Sequence, residues 1–433
     1  MPTPDTRPPP PLPFRRTGNP LDPPPELRHW QRAEPVRRVV AGGVPAWLVT
    51  RYADVRRLLR DPRLSSDPSR AGYPAFRPDQ PPPARGYLPA MDPPEHTELR
   101  RVVMRSALMS DVERLRPAIE RHAHELLDDL VRLPRPVDVV ERFALALPVR
   151  VICDLFGVPF ADREVFERCA VVIARRSASG AEVAAAYGSL TTYLARLVEA
   201  KDREPADDLL SELVVEHVRS GRLTREQVVG LGLPLLTGGH ATTANQIALG
   251  VAALLRHPDQ LAVLLADAAS VPRAVDELLR YLTVVHFGLR RVATEEITVG
   301  GTVIRAGDGV VLALQSANRD QEAFPDPDRL DLTRGADGTR GARGHVAFGH
   351  GIHRCPGHSL ARAELEIALT VLFQRLPGLR LAVPFDRIDF DEDSLLHGVR
   401  ELPVTWGPDG PDDADPDDAD PDGPDDADQK GRP

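Results

Sequence analysis

From residue 95 to about residue 378 the apolar positions of this chain recur mostly at helical spacing. Strand-like apolar runs interrupt them at 297–304 and 309–314, and residues 46–50 (AWLVT) alternate as a strand ahead of a short helix over 53–60. Residues 66–91 are rich in Pro and Gly and carry no period, so they predict a loop, of a length that usually serves function. No linker divides the middle of the chain. The pattern predicts a mainly α fold with small β-sheets, one large domain over residues 27–407. Residues 1–26 hold eleven prolines and read as an extended lead-in that packs late or not at all. Residues 408–433 repeat PDDAD-like units with hardly an apolar residue, and predict a disordered acidic tail.

The longest helical pattern starts at Thr224, three residues before Gln227 in a capping-box arrangement, and runs to His257 before Pro258. Such a helix spans about 48 Å, the breadth of a domain. Its middle carries Gly230, Gly232, Pro234, Gly238 and Gly239, each unfavourable to a helix. Two readings stand: a kinked, loosely built core helix, or a helix cleared of side chains at Gly238 and Gly239 so that a flat ligand can approach the backbone.

Composition narrows the classes. Of 433 residues 42% are hydrophobic and 27% charged, and no window nears the roughly 18 consecutive apolar residues of a membrane span. The first residues lack the apolar core of a secretory signal, so the expected location is the cytoplasm. The formal charge of −10 belongs almost wholly to the tail, where eleven aspartates face Lys430 and Arg432. A nearly neutral remainder gives no sign of a nucleic-acid partner. Three cysteines, Cys153, Cys169 and Cys355, are too few for a disulfide framework and suggest buried, reactive or ligating thiols.

Cys355 stands apart by its surroundings. Gly349, Gly351 and Gly357 allow tight turns about it, and an amphipathic helix over 360–373 begins just beyond, where the dipole favours a thiolate ready for a soft metal. His350, His353, Cys355 and His358 could on composition hold zinc, but their spacing lacks the paired pattern of a finger. A haem iron needs one axial thiolate only, leaving the histidines free to hold haem carboxylates or to pack.

The run from Phe348 to Arg362, FGHGIHRCPGHSLAR, matches the signature F-G-x-G-x-H-x-C-x-G-x-x-L-A-R and resembles the haem-binding segment of the cytochrome P450 monooxygenases, most closely the soluble bacterial, actinomycete-like members. Glu277 and Arg280 resemble that family's E-x-x-R pair, 75 residues ahead of the cysteine, and Arg329 in FPDPDR resembles the arginine that completes a three-residue ion network. His96 and Arg100, four apart on one helical face, together with Arg291 and His353, resemble the propionate-binding set; Arg290 is expected at the surface. The run Gly238-Gly239-His240-Ala241-Thr242-Thr243 resembles the oxygen-binding pattern A/G-G-x-D/E-T, with Thr242 in the hydroxyl position and Ala241 where the acid belongs. Ala241 is either neutral, with water or another group relaying protons, or a mark of chemistry that tolerates slow protonation.

The resemblance implies haem b as cofactor, Phe348, Gly349, His353 and Gly357 beside it, Cys355 as metal ligand, and Gly239, Ala241 and Thr242 at the oxygen site. It implies O2 and electrons from a ferredoxin and its reductase, since the chain has no flavin, nicotinamide or iron–sulfur fingerprint of its own. Arg101, Arg105, Arg343, Arg354 and Arg362 would form a basic docking face. Substrate contacts are expected from loop 66–91, helices over 164–195, Leu235, Gly238, Val284, Val285, His286, Phe287, Leu289, Leu395 and Leu396, a chiefly apolar set suited to a hydrophobic or aromatic small molecule. A monomer with no membrane attachment is expected. Three activities remain open at this point: oxygen insertion into a secondary metabolite, oxidative carbon–carbon or carbon–heteroatom coupling, and a weakly catalytic haem-binding or sensing role.

Overall fold

The computed structural model describes residues 9–106, 109, 112–336 and 341–407. The acidic tail lies outside the described residues. At the centre of the molecule Thr224 caps the helix Arg225–Arg256: its hydroxyl accepts the Gln227 N–H at 3.2 Å, and Gln227 Oε1 accepts the Thr224 N–H at 3.0 Å. The helix runs unbroken through Pro234. Packing overrides the poor propensity of its middle, because it lies against the helices Ala146–Phe156, Gly180–Arg203 and His358–Arg375. Gly230 shows why a helix tolerates glycine here, since a Cβ would stand 1.9 Å from the carbonyl oxygen of Arg85.

A five-stranded sheet flanks the helical body. Strand Gly309–Leu312 pairs in parallel with Val44–Val49, Ala46 opposite Gly309, and antiparallel with Leu289–Ala293, Leu289 opposite Leu312. Strands Val36–Ala41 and Leu64–Ser65 form its edges. The apolar run at 297–304 is a hairpin, turned at Gly300 and Gly301, both at positive φ. Among the described residues no single helix is long and apolar enough to cross a membrane.

Two expectations are corrected. The lead-in packs from residue 9 onward: Leu12 N–H bonds the Val40 carbonyl at 2.8 Å, Phe14 meets Trp30 edge to face at 4.9 Å, and Leu21 is fully buried. The prolines set an extended path along which the few apolar side chains still reach the core. The ion network is completed by Arg334, not Arg329. Arg334 Nε lies 3.1 Å from each oxygen of Glu277, whereas Arg329 is exposed and lends only its backbone carbonyl to Arg280 and Arg334. The backbone between Pro325 and Arg334 decides which guanidinium turns inward, and its carbonyls share the work of receiving both arginines.

Candidate active site

Cys355 is held at the end of a tight loop, its N–H on the Phe348 carbonyl at 2.9 Å, three residues before the helix His358–Arg375 begins. Gly351 makes the loop possible: it has φ +73°, and a Cβ would lie 2.4 Å from the Leu59 carbonyl oxygen. The thiol faces a cavity of about 290 Å3. On the same measure one water needs about 10–15 Å3, so the space suits a large organic group. Burial pushes the Cys355 thiol up, against the pull of the Gly357 N–H and of Arg100, Arg354 and Arg362. The helix position therefore does not by itself make the thiolate, and a metal ion would supply the missing positive charge.

Helix periodicity sorts the oxygen-site residues. Gly238, Gly239, Thr242, Thr243 and Gln246 share the face of the central helix that lines this cavity, while His240, Ala241 and Asn245 lie on the opposite face and line a second cavity of about 390 Å3. Ala241 is thus beside Thr242 in sequence but outside the main cavity. The Thr242 hydroxyl donates to the Gly238 carbonyl at 2.5 Å, leaving its oxygen free to accept. A Cβ on Gly238 would meet nothing within 4 Å, in keeping with cleared space; a Cβ on Gly239 would strike Ile152 at 2.6 Å, so that glycine serves helix packing as well.

Leu235, Val284, Val285 and Leu289, expected to contact substrate, line the main cavity, with Phe348, Gly349, His353 and Gly357 on the cysteine side. Four other expected substrate residues do not. His286 faces a separate cavity of about 60 Å3 beside Arg16 and His397, with Nε2 3.0 Å from the Ser394 carbonyl. Phe287 is buried edge-on to Phe76. Leu395 donates its N–H to the Ala174 carbonyl, and Leu396 lines the second cavity, because the 389–401 segment folds over the helix Arg163–Ala174 and not over the main cavity. Among the described residues, neither loop 66–91 nor residues 164–195 contribute to the main cavity's wall. Residues unread in the sequence do: Ile152, Leu155, Leu209 and Glu364, of which Glu364 lies two residues beyond the run that drew attention to Cys355.

The polar rim fits a group bearing carboxylates. His96 is 1% exposed with neither ring nitrogen hydrogen-bonded among the described residues, and its ring lies 4.1 Å from that of His353. Burial, with Arg100 next, pushes the His96 pKa down to about 4. Arg291 is buried and Arg100 half-buried, and among the described residues their guanidiniums donate to the backbone carbonyls of Arg290 and Arg354. Cationic and imidazole donors gathered without an acid partner are the arrangement that two haem propionates would satisfy. The residues present therefore fit haem, with Cys355 standing where a thiolate ligand would be needed. For zinc they do not converge: among the described residues no three His, Cys, Asp or Glu side chains form a metal-holding group.

Two arginines depart from expectation. Arg290 is drawn inward, its guanidinium 3.2 Å above the Phe76 ring, because strand alternation turns it away from Arg291 and onto loop 66–91. Arg362 is bound at 2.8 Å to Asp276, while Arg101, Arg105, Arg343 and Arg354 are exposed.

Comparison with known proteins agrees with this geometry. A family model described as Cytochrome P450 matches residues 265–379. The chain is 46% identical over 397 residues to Cytochrome P450-SU2 of Streptomyces griseolus, covering 90% of this chain and 96% of that one. It is 41% identical over 380 residues to the mycinamicin IV hydroxylase/epoxidase of Micromonospora griseorubida, covering 87% and 94%. The crystal structure of CYP105P1 in complex with filipin I superposes with a TM-score of 0.86 at 40% identity, covering 92% of this chain and 99% of that one.

Proposed function

The chain belongs to the cytochrome P450 family, and on that premise we propose that it inserts one oxygen atom of O2 into a small, mainly hydrophobic or aromatic secondary metabolite. Haem b is the cofactor of this reading, a ferredoxin and its reductase the electron donors, and the protein acts as a cytoplasmic monomer. The balance is substrate C–H, O2, two electrons and two protons giving C–OH and water. When bound, haem iron supplies the activation of O2.

The protein's own part follows from its residues. Cys355 ligates the metal and donates electron density to it. His96, Arg100, Arg291 and His353 hold the carboxylates at the rim and so fix the orientation of the cofactor's plane. Leu235, Val284, Val285 and Leu289 present an apolar wall that recognises substrate by shape and excludes bulk water. Thr242 offers a hydroxyl oxygen able to accept, and through cavity water to pass on, a proton. The exposed Arg101, Arg105, Arg343 and Arg354 supply positive charge for an acidic electron donor.

The observation that carries the reading is the placement of Cys355 and Thr242 in one predominantly apolar cavity. Turnover with a surrogate ferredoxin system, a panel of hydrophobic and aromatic metabolites and 18O2 tests it. One labelled oxygen in the product is the expected result. A coupled product without label would assign the protein to oxidative bond formation, and no turnover of any metabolite would favour a haem-binding or sensing role.

A further inference from the structure

The small cavity beside His286 lies where the lead-in meets the 389–401 segment, with Phe14, Arg16, Phe390 and His397 in its wall. At about 60 Å3 it exceeds the roughly 10–15 Å3 that one water needs. His397 is 3% exposed, and its Nε2 has no hydrogen-bond partner among the described residues. The buried Nδ1 of His286 and Nε of Arg16 are likewise unpartnered among them. The two imidazole rings stand 6.3 Å apart, with Phe390 stacked on that of His397. One unused N–H donor and two unused ring nitrogens thus meet between aromatic walls.

Arg16 brings a cation that no acid meets. Its guanidinium donates to the Asp22 carbonyl at 2.7 Å and to Gln315 Oε1 at 2.8 Å, both neutral acceptors. The acids nearby are engaged elsewhere: the Asp22 carboxylate pairs with Arg319 at 3.2 Å, Asp391 with Arg400 at 3.0 Å, and Asp393 accepts the Ser177 N–H at 3.0 Å. Glu392 is exposed, 4.0 Å from the exposed Arg15, and its backbone carbonyl accepts from Arg176 at 2.8 Å. Burial, then the charge of Arg319, pushes Arg16 down to about 9, so it stays charged at neutral pH. The histidines add a condition. The Ser394 carbonyl, 3.0 Å from His286 Nε2, can only accept, so the neutral ring carries its proton on Nε2 and shows a bare lone pair at Nδ1. Burial, then Arg16, keeps both rings neutral. An anion facing such a lone pair needs a proton between them.

We propose that this cavity binds a small organic carboxylate together with one proton, Arg16 meeting the charge, the histidines the proton, and Phe14 and Phe390 the apolar end. The site goes beyond the monooxygenase reading. The proton comes from solvent and rests between a carboxyl oxygen and a ring nitrogen; no other bond forms or breaks. Because the cavity is walled by the lead-in on one side and the 389–401 segment on the other, a bound carboxylate ties the two together and stabilises the folded chain.

Acetate is the probe, added to the native holoprotein in carboxylate-free buffers. Titration calorimetry in two buffers of different ionisation heat should show about one proton taken up per acetate at about pH 6, and the affinity should rise about tenfold for each pH unit between about 7.5 and 5.5. Acetamide, of the same shape but uncharged, should bind more weakly and without that pH dependence. Arg16→Met and His286→Phe should each weaken acetate at least about tenfold, the loss of a charge-assisted hydrogen bond. Hexanoate separates two sources of the same group: binding as tight as acetate's assigns the site to the carboxylate end of a longer molecule, and exclusion of hexanoate assigns it to a free short acid. No acetate binding at pH 5.5, binding without proton uptake, or an affinity equal to that of acetamide overturns the proposal, as does unchanged affinity in folded Arg16→Met. Should the variants fail to fold, the ring signals of His286 and His397 in the native protein's NMR spectrum must move with acetate at the calorimetric midpoint; stationary signals overturn the site.

Discussion

Arg334 Nε stands 3.1 Å from both oxygens of Glu277, a carboxylate that Arg280 also grips at 2.7 and 2.8 Å. All three side chains are buried. A carboxylate shared by two guanidiniums ties the helix Val271–Leu282 to the irregular segment that leads toward the cysteine loop. Arg334→Met leaves Glu277 with Arg280 alone and takes the guanidinium donor from the Pro325 and Asp326 carbonyls, so it should lower the unfolding free energy by about 3 kcal/mol. Arg329→Ala, which keeps the backbone carbonyl, should cost within about 0.5 kcal/mol. Urea unfolding of the two variants checks the assignment, and the reverse order would return Arg329 to the network.

Leu21 gives the lead-in a measurable weight. Fully buried beside the helical core, it should cost about 2–5 kcal/mol when replaced by alanine. A change within the range of surface substitutions would show that this segment does not dock.

Position 241 looks into the second cavity, with Arg175, Asn245 and Arg400 in its wall. Ala241→Glu is therefore expected to leave haem content, the carbon monoxide spectrum and substrate affinity unchanged, the new carboxylate facing the second cavity, whose wall holds Arg175 and Arg400 beside Asp391 and Asp393. Titration with substrate and a haem assay measure this. Loss of either would place residue 241 at the main cavity.

His286 contributes to stability with a definite sign. Burial, then the charge of Arg16, pushes its pKa down to about 3, so between pH 3 and about 6.5 the unfolded chain binds a proton that the folded one refuses. Stability from this group is complete above about 6.5 and is lost as pH falls toward 3, at up to about 1.4 kcal/mol per pH unit. His397 is shifted in the same direction, with burial again the main cause. Urea unfolding from about pH 7 to about 4.5 should show a shallower acid loss in His286→Gln than in the native protein. Equal slopes would mean that His286 titrates normally.

What the sequence could convey was local. The Thr224–Gln227 box, the helix it opens and the turn glycines around Cys355 depend on neighbours within a few residues, and the structure has each of them. Glu277 and Arg280 were legible for the same reason, being three apart on one helix. The third member was not, because Arg329 and Arg334 are separated only by how the intervening backbone turns. Leu395 and Leu396 were misplaced because a hydrogen bond to Ala174, far away in sequence, draws them over another helix. The phase of Ala241 was not fixed by the 3.6-residue period, since 238 and 245 nearly coincide in phase and 241 stands only three residues from 238; packing about the helix decides which of them meets the main cavity. Glu364 carried no local signal of burial, since a glutamate on a helix is ordinarily solvated.

Every functional role assigned above depends on Cys355 being the thiolate ligand of a haem seated in the main cavity. The carbon monoxide difference spectrum of the reduced protein tests it, compared among the native chain, Cys355→Ala, Cys153→Ala and Cys169→Ala. Cys153 is buried with its thiol pushed up to about 12 and Cys169 is raised as well, both mainly by burial, and neither lines the main cavity. The strongly red-shifted Soret band of thiolate ligation is expected in the native protein and in the variants of Cys153 and Cys169, with its loss in Cys355→Ala. Persistence of that band in Cys355→Ala would show that another residue is the ligand and that the main cavity is not the haem site.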